Sequence, residues 1–213
     1  LHREWTVDTH CIRPDEVVTL ITKNGDFQFT VSQQNTLLFY PDLKDILIPE
    51  DKIIESCEFV LLTDIDFKKE DVSYNLDILA VDSTYFHFFE YPLVEGELRL
   101  HTPQDAILTR ACAQRLFGKE SAVGKVLKAF GRDVTIRGVI DQPACKSILN
   151  FEILTSYQLT SWSRIGGGWL RVLPDQVNLD TINAKTNVFG SVKPNPVQDN
   201  KNVRNEYIHW KDI

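Results

Sequence analysis

"AQRLFGKESAVGK", residues 113–125, joins two kinds of local order. Upstream of it, Ala106–Leu108 is a short strand, and Thr109 suits a helix N-cap because its hydroxyl can accept from an orphan backbone N–H. Arg110 to Phe117 then reads as a helix, with Cys112, Leu116 and Ala113 facing inward at spacings of three and four. Gly118 follows the last periodic residue, where a helix commonly ends in the left-handed C′ conformation, so φ > 0 is expected there. Beyond Gly124, "KVLKAF" and "DVTIRGVI" read as strands, turned at Gly131-Arg132-Asp133. The stretch is the joint of a capped helix feeding a β-hairpin.

The flanking sequence adds strands and short helices without regular alternation. "VVTLITKNGDFQFTVS" (17–32) is a hairpin pattern in which Asn24-Gly25 tolerates the positive φ of a type I′ turn. "YPDLKDILI" (40–48) places Pro41 and Asp42 at a helix start, with Leu43, Ile46 and Leu47 on one side. "KIIESCEFVLLT" (52–63) reads as a buried strand, and the acidic "TDIDFKKEDV" (63–72) as a solvated loop.

"NLDILAVDSTYFHFFEYPLVEG" (75–96) predicts a strand ending near Val81, with Asp82 and Ser83 as candidate N-caps. A ring-rich turn of helix carrying Tyr85, Phe86, Phe88 and Phe89 follows, bounded by Pro92 and a turn at Gly96. Phe86, Phe89, Leu116 and Phe117 are expected to share one cluster. Farther on, "SILNFEILTS" (147–156) is strand-like, "SWSRIGGG" (161–168) a flexible loop and "WLRVLP" (169–174) a strand. Asn178 caps a helix bearing Leu179 and Ile182, and "EYIHW" (206–210) is extended. Recurrent hairpins with irregularly placed helices argue for an α+β fold.

With 213 residues, 43% apolar, the chain can bury a core without metal or disulfide staples. A net charge of −7 and no basic cluster give it no electrostatic reason to seek nucleic acid. No apolar run reaches the ~18–20 residues of a membrane span. Cys11, Cys57, Cys112 and Cys145 form no C-x-x-C, and are expected to be mostly free thiols.

Candidate chemistry is sparse. Gly166-Gly167-Gly168 precedes a strand rather than a helix N-terminus, so it reads as a linker and not a phosphate loop. The histidines at 2, 10, 87, 101 and 209 form no H-E-x-x-H pair, and His87 reads as a core or rim residue among aromatics. His10-Cys11 would be a nucleophile pair only if sequence neighbours could form a dyad, which they rarely do. Asp64, Asp66, Glu70 and Asp71 lack the rest of a calcium loop or a paired-acid site. No catalytic, cofactor-binding or metal-ligating residue is assigned.

Residues 79–157 resemble the MacB-like periplasmic core domain of FtsX/MacB-type ABC transporter permeases. The matching features, in order, are Val81-Asp82, Phe86 and Phe89, Leu93 to Gly96, Leu108-Thr109, and Ala113 with Leu116-Phe117-Gly118. Gly124-Lys125 and Gly138-Val139-Ile140 complete the set. Residues 169–190 and the closing "YIHWKDI" are similar to the strand, helix and returning strand that follow in the family.

The resemblance implies a porter-like lobe from residues 1–78 and 151–213, with 79–150 inserted as a small helix-plus-hairpin lobe. It implies a domain on the periplasmic side of a bacterial inner membrane, attached through flanking membrane helices. Its expected partners are a second copy of the permease or a paired permease, a cytoplasmic ABC ATPase and a periplasmic adaptor protein, with no nucleic acid. It implies no catalysis and no cofactor or metal: the domain would transmit ATP-driven conformational change to partners or cargo, in efflux, lipoprotein transport or a cell-envelope process. The alternative is a ligand-sensing or interaction ectodomain of a membrane receptor. A hydrolase using His10 or Cys11 stands third.

Overall fold

The structure is a computed structural model that describes residues 10–24, 27–39, 41–142, 149–160, 166–189 and 203–212. Along the chain the strands are β1 (Val17–Asn24), β2 (Phe27–Val31), β3 (Ile53–Lys69), β4 (Val72–Val81), β5 (Leu93–Gly96) and β6 (Asp105–Thr109). They continue with β7 (Val126–Ala129), β8 (Arg132–Ile140), β9 (Ile153–Ser156), β10 (Gly167–Val172) and β11 (Val203–His209). The helices are α1 (Gln33–Phe39), α2 (Tyr85–Phe88), α3 (Arg110–Phe117) and α4 (Leu179–Phe189), with short 3-10 turns such as Pro41–Ile46. A mixed sheet with few helices is an α+β fold, as expected.

The chain divides into two compact units. One comprises Leu1–Ile12 and Phe59–Ser163, the other Arg13–Glu58 and Arg164–Ile213. The cut falls inside β3. It differs from the 78/79 and 150/151 boundaries read from sequence. The reason is strand pairing: β3 from Phe59 onward forms a hairpin with β4, and β9 pairs in parallel with β4 through Ile78↔Ile153 and Val81↔Ser156. Those strands therefore stay with the helix-to-hairpin segment.

In the 59–163 unit the strand order is β3–β4–β9–β6–β8–β5, with β7 on β8. β7 also bridges to β3 at Lys68↔Lys128, so the order returns on itself. Two pairings are parallel, β4 with β9 and β6 with β8. Alternation gives this sheet two buried faces. Leu76, Ile78 and Ala80 of β4, Ala106 and Leu108 of β6, and Ile153 of β9 pack with Cys112, Leu116 and Phe117 of α3. Their neighbours Leu79, Val81, Ile107 and Leu154 are equally buried and point the other way.

This arrangement corrects the single aromatic cluster. Leu116 and Phe117 lie on the α3 face, whereas Phe89 packs with Tyr85 and with His10, each at 5.2 Å between ring centroids. Tyr91 joins that second group and touches Phe151 at 6.0 Å. Phe86 is only half-buried. The helix is a single turn, and its cap also departs from expectation. Asp82 Oδ1 accepts from the backbone N–H and the hydroxyl of Thr84, at 2.9 and 2.6 Å, building the turn before the helix rather than capping it.

Residues 63–72 are not a loop. β3 runs to Lys69 and turns through Glu70-Asp71 into β4, and Phe67 is fully buried. A register shift between Leu62 and Ile65, with Asp64 at φ +58, breaks the alternation that would have marked the strand. The β7–β8 hairpin turns at Phe130-Gly131, both at positive φ, because Ala129 pairs with Arg132. Of the strand read at 147–156, residues 147 and 148 lie outside the described residues, and from 149 onward the strand is Ile153–Ser156.

In the other unit β1 is the central strand. It pairs with β11 along Val18–Asn24 on one side, and on the other with β10 at Val17–Thr19 and then β2 at Leu20–Asn24. The pairing of β1 with β2 runs to Asn24↔Phe27, as the hairpin reading requires; Gly25 and Asp26 lie outside the described residues. Val18, Leu20, Leu170, Val172 and Tyr207 face Leu43, Leu47 and Ile48, with Leu179 and Ile182 of α4 packed alongside. The segment after Pro41 is a 3-10 turn rather than an α-helix. Asn178 caps α4, its Oδ1 accepting from the Thr181 N–H at 2.9 Å.

Gly167 and Gly168 are buried strand residues, not linker. A side chain at Gly168 would crowd Ser32 and the Cys57 carbonyl. The rest of the expected loop, 161–165, lies outside the described residues.

Gly118 has φ +64, as the sequence predicts, but ψ is −117, not the left-handed helical value. With the Glu120 N–H donating to the Phe117 carbonyl at 3.2 Å, Gly118 holds the first central position of a type II′ turn. Space is open around its Cα. Gly118→Ala is therefore expected to cost about 1–3 kcal/mol through backbone strain alone, read as a lowered urea midpoint at unchanged m-value. A midpoint within error of wild type would contradict the turn.

Candidate functional site

The helix-to-hairpin unit is assembled from local rules. Thr109 Oγ1 accepts from the Cys112 N–H at 3.3 Å and starts α3. The II′ turn at Gly118 reverses the chain. The Gly124 N–H then donates to the Ile136 carbonyl at 2.8 Å, and the Ile136 N–H to the Lys125 carbonyl at 2.9 Å, so the junction is stitched onto β8 before β7 begins. Lys69 reaches α3, its Nζ donating to the Leu116 carbonyl at 2.7 Å and lying 5.0 Å from the Phe117 ring centre.

Charged pairs tie this unit to the sheet. Asp105, at the start of β6, is 1% exposed. It accepts from the Arg137 Nε–H and from the backbone N–H groups of His101 and Thr102, each at 2.8 Å. Burial opposes its charge most strongly. The Arg137 hydrogen bond, the two amides and the Arg137 charge together still hold its carboxyl below the usual range. Arg110 grips Asp141 in a two-pronged pair at 2.5 and 2.6 Å, and Arg115 meets Glu152 at 2.9 Å.

His10 and Cys11 do not form a dyad. His10 Nε2 is 3.1 Å from the Tyr91 hydroxyl, which in turn is 2.6 Å from that of Tyr85, while Cys11 Sγ lies 4.0 Å from the Ile12 carbonyl and its backbone bridges to Phe89. Cys11, Cys57 and Cys112 are buried cysteines outside any disulfide; Cys145 lies outside the described residues. Burial pushes the Cys112 thiol up to about 12, so it is inert as a nucleophile. His87 is exposed rather than a core residue, and His101 meets Glu97 at 2.8 Å. Among the described residues no group of three or more His, Cys, Asp or Glu is placed to hold a metal. No helix among them is long and apolar enough to cross a membrane.

Burial lowers the His10 pKa to about 4. The unfolded chain takes up the proton near pH 6.5 and the folded one only near 4, so stability is full above about 7 and falls between those values. Its slope is at most about 1.4 kcal/mol per pH unit for one proton. The stability gap between wild type and His10→Gln is expected to shrink as pH falls from 7 to 4.5. Parallel curves in urea titrations would show that His10 is not held neutral.

The sequence pattern of the MacB-like periplasmic core domain matches residues 15–202. The chain belongs to this family. It is thus a periplasmic, extracytoplasmic domain of MacB/FtsX-like ABC transporter permeases, a family whose domains are generally non-catalytic.

Three solved structures share the MacB-like fold. A domain attributed to a permease protein of Porphyromonas gingivalis aligns with a TM-score of 0.62 at 16% identity, covering 94% of this chain and 93% of that one. The periplasmic region of MacB from Actinobacillus actinomycetemcomitans gives 0.59 at 16% identity, over 92% and 89%. The extracellular domain of the noncanonic ABC-type transporter YknZ from Gram-positive bacteria gives 0.55 at 13% identity, over 89% and 98%. No curated protein matches the sequence.

Sequence reading missed the Asp105 anchor, since a lone Asp before an apolar run carries no signal of its partners 3 to 32 residues away. It also missed Tyr207, whose hydroxyl pairs with Gln33 and whose backbone exchanges two bonds with the Asn183 side chain at 2.7 and 2.8 Å.

Proposed function

We propose that this domain transmits ATP-driven conformational change from a cytoplasmic ABC ATPase to partners or cargo outside the inner membrane. Membership of a permease family supports an ATPase and a second permease as partners. The observation that carries the mechanical reading lies in the unit of residues 13–58 and 164–213. There β1 and β11 run antiparallel with Val18 opposite His209, and Lys211 pairs with Asp15. The unit's first strand thus begins beside the end of its last, so a pull carried through residues 13–17 and 209–212 would act on one end of the unit. In this reading that unit is the porter-like lobe. The inserted small lobe, read from sequence at 79–150, takes the wider bounds 59–163.

The test uses the full-length permease with its ATPase in liposomes. A spin label on Lys119→Cys, an exposed position on the helix-to-hairpin unit, reports the separation between two copies. The expected result is a shifted distance distribution on trapping with ATP and vanadate. Identical distributions with and without nucleotide would overturn the transmission role, whatever the cargo.

A further inference from the structure

The unit of residues 13–58 and 164–213 contains a cavity of about 160 Å³ that no part of the transport reading uses. It opens between β1, β2, α1, α4 and the turn at Pro41–Ile46. Its wall is formed largely by Leu20, Val31, Leu43, Ile46 and Leu47. Three threonines and Asn205 complete the lining, and each threonine spends its hydroxyl proton inside the protein. Thr22 donates to Asn205 Oδ1 at 2.6 Å, Thr36 to the Ser32 carbonyl at 2.8 Å and Thr186 to the Asn183 carbonyl at 3.2 Å. No ionisable side chain is among the lining residues.

A water molecule needs two to four polar partners to occupy such a space, and this wall offers few. Apolar cavities of about 150 Å³ stay dry and take up benzene-sized molecules. A lining without partner atoms on one side also lacks dispersion contacts that an apolar occupant restores. The hollow is partly open, and Thr22 and Asn205 are half-buried polar residues of its lining. An occupant could thus keep a polar remainder outside.

We propose that this cavity is a binding site for a compact uncharged apolar group, about the size of a single aromatic ring or a short branched alkyl end. The chemistry is shared by a free ring compound and by the end of an alkyl chain on a larger amphiphile. The site is independent of the force-transmission reading and stands or falls separately.

The experiment is methyl-detected NMR on the domain in its full sequence, titrated in one arm with indole and in the other with octyl glucoside below its micelle concentration. In at least one arm, saturable shifts are expected at the methyls of Leu20, Val31, Leu43, Ile46 and Leu47. The arm that saturates identifies the source. Thr186→Leu and, as a second variant, Val31→Leu fill the space with apolar atoms and are expected to weaken binding at least tenfold while the fingerprint spectrum stays folded. No saturation in either arm, shifts scattered away from these methyls, or filled variants binding as wild type would overturn the proposal.

Discussion

Replacing Asp105 with Ala is expected to lower the thermal midpoint by about 6–20 °C. A buried charge pair broken at one partner costs about 3–5 kcal/mol, and each kcal/mol shifts a chain of this length by about 2–4 °C. The geometry places Asp105 at the upper end of what one surface-connected acid can do. Its carboxylate is 1% exposed and takes three donors, two of them backbone N–H groups in the 101–105 turn. Truncation orphans both amides and the Arg137 guanidinium at once. Asp105→Asn keeps the shape but turns an amide group toward donors, so it is expected to lose nearly as much. Arg137→Ala is expected to lose a comparable amount, because it leaves the 1% exposed Asp105 carboxylate buried without its cation, held by the two backbone amides alone.

The pH dependence follows from the sign of the shift. The folded-state pKa is depressed, so the stabilisation is present above the unfolded value near 4 and disappears as pH falls through the folded one. Below pH 4 the Asp105→Ala and wild-type midpoints should converge. A loss under about 1 kcal/mol at pH 7, or a gap that persists unchanged into acid, would show that the anchor contributes little.

What the sequence made legible was local. Thr109, the 3.6-residue spacing in α3 and the glycine after Phe117 each act within one turn, and the structure has all three. The hairpins of residues 17–31 and 126–140 were legible for the same reason: short alternating runs joined by residues that accept positive φ. The failures have physical causes. The second half of β3 is "TDIDFKK", where only Phe67 reaches full burial and a bulge at Asp64 shifts the parity. No period-2 count can find such a strand. Helix α1, "QQNTLLF", mixes Asn, Thr and Phe, which are indifferent helix formers, and so gives no propensity signal.

Gly167-Gly168 looks like a linker because glycine is usually flexible. In β10 the missing side chain is the reason it fits, since Ser32 and the Cys57 carbonyl approach that backbone closely. The parallel pairings β4–β9 and β6–β8 span dozens of residues and leave no trace in any window. The β4–β9 pairing, together with the β3–β4 hairpin, is also what moved the unit boundaries away from the sequence reading.

The split aromatic cluster gives the second large effect. Phe89→Ala is expected to cost about 3–5 kcal/mol and Leu116→Ala about 2–5 kcal/mol, because both are buried and the space each leaves cannot be refilled by water. One shared cluster would make the two losses interact. Two separate groups, one around α3 and one around Tyr85 and His10, should make them add within about 0.5 kcal/mol. The double-mutant cycle is best run with Phe89→Leu and Leu116→Val, whose combined loss leaves a folded protein to measure. Urea titration of all four species gives the coupling directly. A coupling above 1 kcal/mol would return Phe89 to the α3 core and undo the assignment of Tyr85, Tyr91 and His10 to a separate group. Additivity would mean that α3 with its sheet face and the aromatic turn are packed as separate groups. A sheet close-packed on both faces yields little under load, and that stiffness is what the proposed transmission of conformational change would require.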